Sequence, residues 1–318
     1  MARVHAGAYR RMKGVEIAGF YGRHRAKVAE TAQRFHTTAT TDAATLIQDG
    51  TIDAIDVVTP SACHRDFVVA ALDEGKHVFC ETPLALRLED ADSMLRASRR
   101  AGRLLLCAQL MRFVPEYVFA RETAVRRRLG AVTFVIASRL SRPYWSRTEP
   151  RPFPVYGEPV VELMTFDFNF LNWVLGRASA VTAHGLRGGR NAADLIVATV
   201  RYPGALGVAE GSARMPPGFP FNTRLRVLFD QGLLEADFRA KPSGFSFSFV
   251  EFSEKSAGRR VLVSRKDPYF AECEHFVACV RGKADPSVLE GVHDRDALRV
   301  ALAARESLGT GRSVPLRT

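Results

Sequence analysis

A few residues in this chain have types that can move protons or bind ligands, and they fall where a structural element must end. His64 follows Thr59-Pro60, and a proline there stops the β-rich run Ile52-Asp53-Ala54-Ile55-Asp56-Val57-Val58. An imidazole at that point stands at the carboxyl edge of a sheet, where open α/β folds bind ligands. The alternative is a helix N-terminal residue with no chemistry. Glu81 ends the run His77-Val78-Phe79-Cys80, which Pro83 breaks, and it can act as a base or orient its neighbours. Arg112 suits a substrate oxygen or carboxylate, or else a structural salt bridge. Glu162 is a candidate catalytic carboxylate. Asp167 lies five residues further along a helical stretch, pointing elsewhere, as a substrate contact or a structural group. Tyr144, Trp145 and Tyr156 sit in a Pro/Arg-rich loop and either line a pocket or pack. Phe166, Phe168 and Phe170 read as core, with Phe166 able to keep a pocket dry. The five cysteines (Cys63, Cys80, Cys107, Cys273, Cys279) have no CxxC spacing, which argues for reduced thiols and against a metal site.

The elements that must position these residues come in two rhythms. Short helices over residues 4–12, 24–35, 42–48, 64–74 and 88–101 alternate with apolar runs at 15–21, 52–58, 77–81 and 104–108. Gly75 and Gly102 stop two of the helices. Helices alternating with nearly continuous apolar strands imply a parallel sheet covered on both faces. Beyond residue 120 the period shortens to two, as in Phe245-Ser246-Phe247-Ser248-Phe249, and eight strand-like segments run from Ala131 to Val263. That pattern fits an antiparallel sheet with one buried face. An apolar helix over 161–175 interrupts it, and helices at 268–281 and 294–308 close the chain. The expected fold is α/β. A Rossmann-like domain over residues 1–120 precedes an α+β domain over 121–318, whose last helix can pack back on the first.

With 318 residues, 47% hydrophobic and 25% charged, the chain has a globular composition. It has no apolar run near 18 residues and no apolar signal-peptide core near its start, so a cytoplasmic protein without membrane contact is expected. The net charge of +11 comes from dispersed arginines that are not interleaved with aromatics. It therefore reads as solvated helix faces that attract anionic small molecules, with no nucleic-acid partner expected.

Several segments carry a resemblance that spans the chain in order. They are Asp53–Pro60 with His64, Ala70–Ala85 with Glu81-Thr82-Pro83 at its end, Met111–Tyr117, Gly157–Gly176 and Ala297–Val314. In these the chain resembles the Gfo/Idh/MocA oxidoreductases. The resemblance implies hydride transfer between a nicotinamide cofactor and a sugar- or polyol-like carbon. It also implies a glycine-rich phosphate turn, an acidic ribose ligand, a catalytic lysine and a catalytic histidine. Thr59 and Pro60 would then touch the cofactor, and the open sheet would make a homodimer or larger assembly.

The chain departs from that pattern at four places. Arg3–Tyr9 resembles the helix that follows the glycine turn, so the turn and its strand are missing. Either the natural start lies roughly 15 residues upstream, enough for a strand and its turn, or the strand is lost and its neighbours or another element fill the gap. The acidic ribose position reads Tyr21-Gly22-Arg23, where Arg23 suits a 2′-phosphate. Thr82 replaces the lysine and Phe166 the histidine, and neither side chain can move a proton near neutral pH. The leading expectation is therefore a repurposed, non-redox enzyme of lyase, isomerase or cyclase type acting on a polar small metabolite. It would use Glu81, His64 and Glu162, with Arg112, Tyr156, Asp167, Thr82 and Phe166 around the substrate. The alternatives are an NAD(P)-dependent sugar or cyclitol oxidoreductase with a truncated start, and a non-catalytic homologue that binds a ligand or partner. The cofactor expectation is none or NAD(P).

Overall fold

The structure is a computed structural model that describes residues 1–143, 157–187, 193–241, 244–254, 256–264 and 266–316. The chain forms two compact units, Met1–Phe113 with Lys266–Arg295, and Val114–Arg265 with Asp296–Thr318.

The first unit is the Rossmann-like one. It runs α1 (Ala2–Tyr9), β1 (Gly19–Tyr21), α2 (Arg25–Phe35), β2 (Thr38–Thr40), α3 (Ala44–Ile47), β3 (Ala54–Val57), α4 (His64–Asp73), β4 (His77–Glu81), α5 (Leu88–Ala101) and β5 (Leu105–Ala108). All its ladders are parallel, but they form two sheets, β1-β2 and β3-β4-β5. β1 and β3 do not pair with each other, so each keeps a free edge among the described residues and the flanking strands do not close the gap. Gly75 and Gly102 end α4 and α5 at φ 73° and 62°, left-handed angles that cost glycine little.

The second unit contains α6 (Pro115–Val125), β6 (Val132–Leu140), α7 (Pro159–Glu162), α8 (Thr165–Leu175), β7 (Ala180–Arg187), β8 (Ala193–Tyr202), β9 (Ala205–Ser212), β10 (Asn222–Phe229), β11 (Gly232–Lys241), β12 (Gly244–Ser253) and β13 (Ser256–Arg260). The chain then returns to the first unit with α9 (Pro268–Val280). It ends in α10 (Gly291–Thr310) and β14 (Val314–Pro315). The second unit's sheet has the order β13-β12-β11-β10-β6-β9-β8-β7-β14, antiparallel except where β6 runs beside β9. Its strands bury alternate residues, as in β10, where Thr223, Leu225, Val227 and Phe229 point inward and Arg224, Arg226 and Leu228 outward.

Three local expectations change. The run 15–21 pairs only at Gly19–Tyr21, because the hydroxyls of Thr37 and Thr38 take the Ile17 and Ala18 carbonyls. The helix 161–175 divides at Leu163-Met164, where the buried Met164 fills the space left by Gly211 on β9. The last strand of the run lies at 256–260, ahead of the expected 260–263.

Candidate functional site

In the first unit, parallel register sets Asp56 of β3 beside Phe79 of β4. Side chains alternate along a strand, so Glu81, two residues on, shares that face. α1 lies over it. His5 is only 1% exposed, with its ring centroid 5.6 Å from that of Phe79. Its Nδ1 is 2.9 Å from Asp56 Oδ2. Its Nε2 is 3.3 Å from Glu81 Oε1, an ion-pair distance without the alignment of a hydrogen bond. Tyr9, one turn further along α1, donates to Asp56 Oδ2 at 2.8 Å. Burial opposes a charge on His5, but Asp56 and Glu81 outweigh it and push the imidazole up to about 10. Beside them on α9, burial holds the Glu272 carboxyl well above the usual carboxylate range, with His5 pulling the other way. Burial also raises the Cys273 thiol and the Tyr9 hydroxyl.

Several buried polar atoms here have no hydrogen-bond partner among the described residues: His5 Nε2, Asp56 Oδ1, Thr59 Oγ1, Glu81 Oε1, Gln109 Oε1 and Glu272 Oε2. Native interiors seldom leave such atoms unmatched, and they concentrate where a polar group is meant to arrive. Glu81 and Asp56 keep 15% and 20% of their side chains exposed, so the cluster opens to the surface through its carboxylates.

Thr82 points elsewhere. Its backbone N–H donates to Glu81 Oε2 at 3.2 Å, while its hydroxyl lies 3.2 Å from the Ala108 carbonyl and 3.3 Å from Asp294. Gln109 donates to that hydroxyl at 2.9 Å and also to Asp294, which accepts the Leu84 N–H as well. Burial pushes the Asp294 carboxyl up to about 6 against these donors. His64 is buried, with Nδ1 3.0 Å from the Pro83 carbonyl and Nε2 2.8 Å from that of Thr59. It staples the end of β3 to the turn after β4, and burial lowers its proton affinity. Arg112 is buried and donates to the Val288 carbonyl at 2.9 Å. Arg23 is exposed after β1, and Thr59 and Pro60 are half-buried beyond β3.

In the second unit, Arg139 of β6 and Asp167 of α8 form a buried two-pronged pair at 3.1 and 3.0 Å. Phe166 lies against the Arg139 guanidinium, 5.1 Å from ring centre to carbon. Burial raises the Asp167 carboxyl, opposed by Arg139. Glu162 is half-buried and accepts the Gly157 N–H at 2.7 Å. Tyr144, Trp145 and Tyr156 lie outside the described residues. Within the first unit, then, the structure gathers Glu81, Thr82, Thr59 and His64 around one sheet edge. The sequence reading missed His5, Tyr9, Asp56, Glu272 and Asp294. The available signal was a histidine within an otherwise ordinary helix and an aspartate inside the apolar run Ile55–Val58. No group of described residues has the arrangement of a metal site.

Residues 1–109 match a family model described as "Oxidoreductase family, NAD-binding Rossmann fold". Myo-inositol 2-dehydrogenase of Thermotoga maritima is 27% identical over 85% of this chain and 82% of its own. The 2,7-anhydro-N-acetylneuraminate hydratase of Escherichia coli is 29% identical over 33% of this chain and 28% of its own. The aldose–aldose oxidoreductase of Caulobacter crescentus, solved with glycerol, superposes with a TM-score of 0.86 at 20% identity, covering 99% of this chain and 96% of that one. A model matched over the first unit's strands and helices, and a relative aligned along more than four-fifths of both chains, make this protein a member of the Gfo/Idh/MocA family.

Proposed function

We propose that this protein is an enzyme that acts on a polar small metabolite of the polyol or sugar class by proton transfer without net redox change, in the manner of a lyase, isomerase or cyclase. Glu81 is the group that moves the proton. The observation that carries this reading is the pair of replacements at positions 82 and 166. The Thr82 hydroxyl is tied to Ala108, Gln109 and Asp294, and Phe166 is a hydrocarbon face against Arg139. Neither can exchange a proton with a substrate near neutral pH, whereas Glu81 keeps an unpaired oxygen at the sheet edge. A relative named as a hydratase indicates that the family's scaffold hosts chemistry other than dehydrogenation.

A second reading, an NAD(P)-linked sugar or cyclitol dehydrogenase, draws on the full-length similarity to an inositol dehydrogenase. The residues present fit such a cofactor only in part. Thr59 offers an unpaired hydroxyl beyond β3, and the exposed Arg23 after β1 suits a phosphorylated ribose. At the reacting end, positions 82 and 166 do not fit, so no hydride step follows from these side chains. The test is incubation in D2O with inositols, sugar acids and anhydro sugars, with and without NAD or NADP. The expected result is solvent deuterium in the product, or elimination, with no net change in the nicotinamide band and complete loss in E81Q. Turnover that consumes nicotinamide stoichiometrically would overturn the proposal in favour of the second reading.

A further inference from the structure

We infer that His5 is a positioning residue that reloads Glu81 with protons, in a buried relay in which Asp56 holds Nδ1 and Glu81 receives from Nε2. The inference rests on the acid–base role proposed for Glu81. The geometry assigns each part. Asp56 Oδ2, 2.9 Å from Nδ1, fixes the ring's orientation and leaves Nε2 facing Glu81 Oε1 at 3.3 Å. A carboxylate that orients a histidine through one nitrogen while the other exchanges a proton is a recurrent catalytic device. The 3.3 Å contact is loose for a hydrogen bond, as such contacts often are before substrate binds. Phe79 lies against the ring, and His5 itself is closed to solvent, so its proton leaves through Glu81, the partly exposed partner on that side.

The groups facing the relay come from every element packed on it: Asp56 on β3, Glu81 on β4, Tyr9 on α1, and Glu272 and Cys273 on α9. Asp267, paired with Arg11 at 3.6 Å, adds a more distant negative charge to Glu272. Tyr9 donates to the same Asp56 oxygen as His5 and so steadies it. In the acid direction, the Nε2–H bond breaks and Oε1–H forms. That bond then breaks as an O–H bond forms on the substrate oxygen. Glu81 is left as carboxylate and His5 as neutral imidazole with its Nδ1 proton still on Asp56. A proton from water restores the imidazolium, and one proton has moved from solvent to substrate. The base direction runs the same bonds in reverse.

The test is carboxyl and imidazole NMR on the intact protein, labelled with 13C at glutamate Cδ and 15N at histidine and assigned through the backbone. The expected result is that the Glu81 carboxyl signal moves by a sizeable fraction of a full protonation shift at the midpoint where the His5 ring titrates, and that H5Q abolishes that step. A His5 ring that titrates while Glu81 stays still would overturn the relay and leave His5 a structural cation. Wild-type protein alone gives the first readout, so a failure of H5Q to fold does not weaken the test. Where a substrate from the D2O panel turns over, H5Q lowers kcat ten- to hundredfold with KM little changed and removes the alkaline limb of the rate profile. A change in KM alone would count against the relay. If nothing in the panel turns over, the proposed function fails while the NMR titration still decides the relay.

Discussion

His5 and His64 are both buried, yet their proton affinities move in opposite directions. Burial disfavours the charged ring in each. His64 faces neutral carbonyls, which do not overcome that cost, and its affinity falls. His5 faces two carboxylates, which do, and it rises to about 10. The chemically useful histidine is therefore the one that the sequence did not mark. Nothing near residue 5 signals its partners, which lie 51 and 76 positions away. His64 was conspicuous because a proline-ended strand precedes it, but it is a staple. Asp294 was equally hidden, since its helix was expected to begin at residue 294 and not at Gly291. Asp294 accepts from the Leu84 N–H, Gln109 and the Thr82 hydroxyl, so D294L leaves those donors unmatched and should cost about 3 kcal/mol. D294N keeps one acceptor and should cost less than half of that. Chemical denaturation of both variants at pH 7 measures the difference.

The elements of the first unit were legible because each has a period and a stop, as with α5, which runs to Gly102 and turns there at φ 62°. The second unit's strands were legible through alternation, and β12 reproduces the Phe/Ser pattern over Gly244–Ser253. The divided helix was not. Its break depends on Gly211 of β9, where a Cβ would lie 2.4 Å from Met164 Cγ. No pattern within 161–175 records a glycine 47 positions later. G211A should overfill that contact at a cost of ~1–3 kcal/mol. The double variant with M164A should recover part of the loss, because the smaller side chain makes room for the added methyl. Thermal melts of the two single variants and the double variant form the cycle that checks it. A simple sum of the single effects would show that Met164 does not set the break.

The division into two units also sets where pH acts. A group whose proton affinity is raised in the fold stabilises fully below its unfolded value. For His5 that stability is present below about 6.5 and is lost as pH rises through about 10. The groups coupled to His5 belong to the first unit. Hydrogen exchange at pH 7 and pH 9.5, corrected for intrinsic rates, should show amides of β3, β4 and α1 losing ~2–4 kcal/mol of protection. The β6–β10 ladder should hold, and in H5Q the difference should disappear. Uniform loss across both units would contradict this assignment.

The sequence reading placed the change of rhythm near residue 120 and treated what followed as one block. The first unit instead ends at Phe113 and is completed by Lys266–Arg295. That return brings α9, whose Cys273, Phe276 and Cys279 pack with Phe79, Leu106 and Ala108. On a ribosome, the apolar sheet face formed by Phe79 and Leu106 emerges first. It then waits while Val114–Arg265 is translated, roughly 8–30 s at typical rates of about 5–20 residues per second. Throughout that interval the nascent first unit lacks its own cover. The newborn chain should therefore carry its greatest demand for chaperone protection before α9 leaves the exit tunnel, and a stop codon placed just ahead of Lys266 should yield an insoluble product.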